Sequence, residues 1–209
     1  MGAEIEQLRD HLLTGLDERA RRVQTLEAYY TGDHPQPKPP GKLDPAAFRE
    51  AVAAWRSLTR LGVTNWVKLV ADAPANRIAV TGFRFGDATS GDDDAWRIWQ
   101  RNHLDADQAL VHDNALQTGS SAVIVWPGGG DAEPTITCEH SAQVIVAYEP
   151  GSRRRRAAAL KSWVDDDGHQ VVNLYLPDAL WKWRTGSTRP GYGRATAGGN
   201  AWVPRDVDG

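Results

Sequence analysis

Val63 to Phe85 reads VTNWVKLVADAPANRIAVTGFRF, and the change of period inside it decides the fold class. Thr64 is placed to cap a helix, its hydroxyl accepting an amide left unpaired at the helix start. Trp66, Leu69, Val70, Ala73 and Ile78 then recur near helical spacing. Pro74 removes one hydrogen bond of that helix and predicts a kink or a restart. Beyond Arg77 the pattern turns extended, with Val80, Gly82, Phe83 and Phe85 reading as a strand. A helix feeding a strand predicts a joint around which earlier helices and later strands pack. The stretch holds no nucleophile, metal cluster or phosphate loop and reads as scaffold.

Upstream of the joint the chain is helical. Ile5, Leu8, Leu12, Leu16, Val23, Leu26 and Tyr30 form one apolar stripe. Gly15 is a point where that helix could split, and Gly32 is suited to end it in the left-handed conformation. Asp33 to Lys42, DHPQPKPPGK, holds four prolines and predicts a loop or extended linker. Asp44 followed by Pro45 signals a helix start. Phe48, Val52, Trp55 and Leu58 or Thr59 give that helix an apolar face, with Gly62 closing it.

Downstream, Gly86 to Asp94 is a polar loop, and Asp94 is read as the cap of a short helix bearing Trp96, Ile98 and Trp99. Asn102 and His103 end it. Asp105 is read as the cap of a helix carrying Ala109, Leu110, Ala115 and Leu116 to a stop at Gly119. The character then turns to β: Ser121–Trp126, Thr135–Glu139, Gln143–Glu149, Ala157–Asp165, Gln170–Leu176 and Leu180–Arg184 all read as strands. Turns lie at residues 127–134, at PGSRRRR and at Asp166-Asp167-Gly168. Thr185 to Gly209 is too poor in aliphatics to form a core. Helices first and antiparallel strands after predict an α+β fold. Residues 1–184 are expected as one domain, helical over 1–119 and β-rich over 120–184, followed by a poorly structured tail at 185–209.

The chain has 209 residues, 41 % apolar and 24 % charged, with a net charge of −3. That is the composition of a globular protein, with no global attraction to nucleic acid or anionic membranes. Nine Trp against one Met point to large aromatic packing anchors. Cys138 is the single cysteine, so no intrachain disulfide forms, and it is expected to be buried and inert. The N-terminus lacks the apolar core of a signal peptide, and no apolar run reaches membrane-spanning length.

Candidate chemistry is sparse. Asp92-Asp93-Asp94 and Asp165-Asp166-Asp167 are residue types that hold Mg²⁺. Each lies beside glycine in a predicted turn, where Asp is favoured for capping. The six histidines make no zinc spacing, and His112 and Asp113 point to different faces of one helix. Gly119-Ser120-Ser121, Gly128-Gly129-Gly130 and Gly191-Tyr192-Gly193 each lack the context of a nucleophile elbow or phosphate loop. The one concentrated positive charge is Arg153, Arg154, Arg155 and Arg156 at a hairpin tip. Such a tip is exposed by its position alone, and it is also able to contact DNA or a neighbouring subunit in a salt-sensitive way.

Taken in order, LEAYYTGDHP (Leu26 to Pro35), Thr64 to Phe85, and WRIWQRNHLDADQALVHDNALQTGSSAVIVW (Trp96 to Trp126) form a recognisable series. It continues with PTITCEHSAQVIVAYEPGSRRRRAAALKSWVDDDG (Pro134 to Gly168) and VVNLYLPDALWKW (Val171 to Trp183). Over residues 5–184 the series resembles the N-terminal half of tailed-phage portal proteins of the siphophage type, common in phages of actinobacteria. No single motif in it is a catalytic signature.

The resemblance implies a portal wing-like region, with N-terminal helices packed on a C-terminal antiparallel β-meander and a stem and clip expected beyond Gly209. It implies a structural subunit of a cyclic ring, typically a dodecamer, at one capsid vertex. The implied partners are further copies of itself, the terminase large subunit, head-completion or adaptor proteins, the major capsid or scaffold protein, and double-stranded DNA in the ring. No cofactor, metal, membrane or enzymatic activity is implied. The implied location is the virion, and the host cytoplasm during assembly. The alternative reading is a metal-dependent nuclease or other DNA-processing enzyme using the Asp runs.

Overall fold

A computed structural model describes residues 2–35, 52–55, 57–58, 65–127, 133–152, 154–185 and 202–204. Its elements are α1 (Gly2–Thr31), α2 (Trp66–Ala75), α3 (Asp93–Arg101), α4 (Leu104–Thr118), and strands β1 (Ala122–Trp126) and β2 (Thr135–Glu139). Strands β3 (Val144–Tyr148), β4 (Arg156–Val164), β5 (Gln170–Tyr175), β6 (Leu180–Thr185) and β7 (Trp202–Pro204) follow. Residues 52–55 and 57–58 are also helical. The fold is α+β, helices first and antiparallel strands after. Among the described residues no helix is long and apolar enough to cross a membrane. The chain divides into two compact units, Met1–Arg22 with Ser121–Gly209, and Val23–Ser120, so α1 contributes to both.

The first unit is layered. Strands β3-β4-β5-β6-β7 form an antiparallel sheet in sequence order, and β1-β2 form a separate ribbon. Leu160 pairs with Leu174, Val172 with Trp183, and Ile145 with Leu160, so alternate residues collect on one face. Ala158, Leu160, Val172, Leu174 and Trp183 of that face pack with Leu12 and Leu16 of α1. Leu16, Leu160 and Leu174 are wholly buried, each stabilising the fold by about 1.5–3 kcal/mol. The opposite face meets the ribbon, where the rings of Trp126 and Tyr175 lie 5.2 Å apart and Lys161 Nζ reaches Glu139 Oε1 at 2.7 Å. With both faces covered, the central strand β5 is buried along nearly its whole length.

α1 runs unbroken through Gly15, where the sequence admitted a split. A Cβ at that position would lie 3.1 Å from Ile145 Cδ1, so the glycine permits close approach of helix to sheet. Gly32 does end the helix, with φ of 81°. Arg9 is buried within the helical stripe, ion-paired to Asp10 at 2.8 Å and stacked 5.0 Å over the Trp183 ring. Strand β7 falls in the stretch expected to be poorly structured, with Arg184 paired to Val203 on the edge of β6.

The second unit corrects several expectations around the joint. The cap of α2 is Asn65, whose side chain accepts from Lys68 N at 3.1 Å; Thr64 lies outside the described residues. Pro74 lies inside the helix, which does not restart there and ends one residue later at Ala75. Residues 78–85 join no ladder and are no strand. Side chain and loop contacts hold them instead, with Val80 N donating to Gln108 Oε1 at 2.8 Å and Asp92 N to Phe83 O at 2.9 Å. Phe83 packs against Trp99 and Trp96, with ring centroids at 5.5 and 6.2 Å.

The apolar stripe predicted to be core is outward. Trp66, Leu69 and Val70 are 65, 56 and 73 % exposed, while Ala71, Asp72 and Ala75 take the partly buried side. The cap of α3 is Asp92, not Asp94, its carboxylate accepting from Ala95 N at 2.7 Å. α4 starts after His103, in the left-handed conformation, and Asp105 lies in its first turn without capping it. Leu110 and Leu116 of α4 are exposed, and its buried residues are Leu104, Asn114 and Thr118. Gly119 ends it with φ of 83°, as read from the sequence. The linker at 36–42, the start of the helix at Asp44 and the glycine runs at 128–130 and 191–193 lie outside the described residues.

Candidate functional site

The β3–β4 hairpin tip carries the strongest local charge, and its backbone explains why. Pro150 and Gly151 occupy the middle of a turn closed by Ser152 N donating to Glu149 O at 2.9 Å. Gly151 has φ of 78°, the position in a type II turn that only glycine takes without strain. Ser152 Oγ then accepts from Arg154 N at 3.2 Å and Arg155 N at 2.8 Å. That brace orders the backbone beneath the arginines. Arg155 makes a loose ion pair with Glu149 at 3.6 Å, while Arg154 and Arg156 are exposed. Arg153 lies outside the described residues. A register shift at Ala147/Tyr148 sets Tyr148, 48 % exposed, opposite Arg156. The tip therefore presents guanidinium groups beside an aromatic ring, a surface suited to phosphates or carboxylates.

The acidic runs have other occupations. Asp92 caps α3 and Asp94 pairs with Arg97 at 3.0 Å. Asp165 and Asp167 both bind Arg184, at 3.0 and 2.9 Å. Asp165 Oδ1 also accepts from His169 N at 2.8 Å, which closes the β4–β5 turn. Among the described residues no three His, Cys, Asp or Glu side chains gather into a metal-holding group. Cys138 is half-buried rather than buried. His112 has an Nε2 without a hydrogen-bond partner, and His169 Nδ1 lies 2.8 Å from Thr185 O.

Two polar clusters escaped the sequence reading. In one, Tyr30 OH donates to Asp72 Oδ1 at 2.7 Å, and Lys68 Nζ donates to that same hydroxyl at 2.7 Å. Lys68 also pairs with Asp72 at 2.9 Å and sits 4.4 Å from the Tyr30 ring centre. The Tyr30 hydroxyl, then Lys68, hold the Asp72 carboxyl below its ordinary value. The same hydroxyl, then Asp72, hold the Lys68 ammonium above its own. Lys68 and Asp72 are four apart on a helix, a legible pair, but nothing in the sequence brings Tyr30 to them.

In the other cluster, buried Glu139 accepts from Lys161 and from Thr137 Oγ1 at 2.9 Å, and Lys161 lies 5.1 Å from the Trp163 ring centre. Burial pushes the neighbouring Tyr175 phenol up. These contacts fasten elements to one another. The molecule offers surfaces and braces.

Comparison with known proteins supplies the family. Residues 9–201 match the family model described as phage portal protein, SPP1 Gp6-like. The chain belongs to this phage portal family. It is 25 % identical over 187 residues to the portal protein of Mycobacterium phage D29. It is 23 % identical over 188 residues to the portal protein of Mycobacterium phage L5. Each match covers 84 % of this chain and 36 % of the relative. The portal-family chain thus spans nearer a third than half of the length of these relatives.

Proposed function

We propose that this portal-family chain is part of a structural subunit of a ring at the capsid vertex, where it builds the head–tail connector. The match to the portal family across residues 9–201 carries this reading. In it the subunit associates with further copies of itself, and double-stranded DNA passes through the ring during packaging and ejection. The terminase large subunit, head-completion or adaptor proteins, and the major capsid or scaffold protein dock on the assembly. The chain performs no covalent step of its own, resides in the virion, and assembles in the host cytoplasm. The arginine tip, Arg153 to Arg156, contacts DNA or a partner protein.

This reading accounts for a molecule whose polar clusters brace layers. It also accounts for acidic runs spent on caps and ion pairs (Asp92, Asp165, Asp167). Deleting the gene from its phage and restoring it in trans tests the proposal. The expected result is heads that lack packaged DNA in the deletion and filled heads on complementation. Normally filled heads from the deletion contradict it.

A further inference from the structure

The β3–β4 tip gathers positive charge that the fold does not use up. Elsewhere in the first unit Arg9 is held by Asp10, and Arg184 by Asp165 and Asp167. At the tip Arg154, Arg155 and Arg156 are all exposed. Among the described residues the carboxylate paired with them is Glu149, on Arg155 at 3.6 Å. Three guanidinium groups against one carboxylate leave the tip basic, on a chain whose net charge is −3. Its backbone is ordered as well as charged. Glu149 N donates to Arg155 O at 3.0 Å, and Ser152 Oγ accepts from Arg154 N and Arg155 N. A loop already held in one conformation loses less entropy when it binds.

The chemistry of the tip separates the two partners open to it. A protein interface needs an apolar centre from which charge is depleted, with charged residues at its rim. Residues 149–156 read EPGSRRRR and contain no aliphatic or aromatic side chain; the adjoining Tyr148, 48 % exposed, is the large apolar group beside them. A polyanion needs no such centre. Guanidinium forks pair with phosphate oxygens, often through two hydrogen bonds at once. Duplex DNA carries a charge about every 1.7 Å along its axis. Arg154 to Arg156 cover roughly 7 Å of extended chain at ~3.3 Å per residue. The tip therefore meets phosphates wherever it lands and needs no base sequence. A net negative chain with one basic tip also orients itself, tip first, toward such a polyanion.

We infer that the β3–β4 tip binds the phosphate backbone of double-stranded DNA without regard to sequence, through Arg154, Arg155 and Arg156, and that Glu149 restrains Arg155 until a phosphate replaces it. This rests on the ring reading above, and deepens it by committing the tip to one of its two partners. The test is fluorescence anisotropy of a labelled random-sequence duplex titrated with full-length protein over a range of salt concentrations. Arg154→Ala with Arg156→Ala is expected to lower affinity about tenfold or more and to reduce the slope of log K against log salt by about 2. Its circular dichroism spectrum is expected to match wild type, since both side chains are exposed. Glu149→Gln, which frees Arg155, is expected to raise affinity about two- to fivefold. Duplexes of different sequence are expected to show the same losses. Affinity and slope unchanged in the double arginine variant overturn the inference and, where that variant still forms rings, leave the ring reading intact. A variant that binds duplex like wild type yet fails to fill heads puts a protein partner at the tip and overturns the inference in the same way. An unmodified protein that forms neither rings nor a complex with duplex overturns both.

Discussion

At the scale of single residues the stability of the first unit turns on two sites. Gly15 gives up helix propensity of about 1 kcal/mol relative to alanine, and the atom a Cβ would meet is the mobile end of Ile145. Gly15→Ala is therefore expected to raise stability by less than ~1 kcal/mol in urea denaturation, because Ile145 can yield. Gly15→Leu is expected to lower it by about 1–3 kcal/mol through overpacking. The second site is the Glu139–Lys161 pair, whose side chains are 6 and 23 % exposed. Lys161→Met leaves a buried carboxylate without its cation and is expected to cost up to about 3 kcal/mol, less than in a fully dry pair. Adding Glu139→Gln is expected to recover most of that loss. A double variant as unstable as the sum of the singles contradicts the pairing.

At the scale of elements, the Tyr30–Lys68–Asp72 clasp ties the end of α1 to α2, helped by Asn65 Nδ2 donating to Tyr30 O at 2.6 Å. The Asp72 carboxyl is held below its ordinary value of 3.8, so its contribution is complete above that value and fades as pH falls through the lowered one. The Lys68 ammonium is held above 10.5, so its contribution is complete below that value and fades as pH rises through the raised one. Asp72→Asn is expected to lower the melting temperature at neutral pH and to narrow the gap to wild type in strong acid. A gap unchanged by acid contradicts the clasp.

Strands β1 to β6 were legible because alternation and turn residues are local signals. The α1 stripe was legible because one face of it is truly core, as Leu12 and Leu16 demonstrate. The joint at 63–85 was misread for a physical reason. Periodicity reports that a face is apolar and not which way it points, so the outward Trp66 stripe looked like core. The supposed strand after Arg77 has apolar residues but no ladder partner, and pairing is a non-local fact. The basic tip was visible as a charge run; the brace from Ser152 Oγ that orders it was not.

At the scale of the molecule, two units share one long helix, and the polar clusters they contain fasten elements together. Trp66, Leu69 and Val70 of α2 and Val123 and Val125 of the ribbon are exposed, as are Arg154, Arg155 and Arg156 at the hairpin tip. Such a body gains from assembly, since about 25 cal/mol per Å² returns when apolar surface is buried. In the function proposed above, this chain supplies shape and contact surface to a closed homo-oligomer. Negative-stain electron microscopy of the purified full-length protein, with its mass measured by light scattering on the same sample, tests that claim most directly. Closed rings with a central opening and the mass of many subunits are the predicted result; a discrete small dimer or a monomer at the same concentration would contradict it.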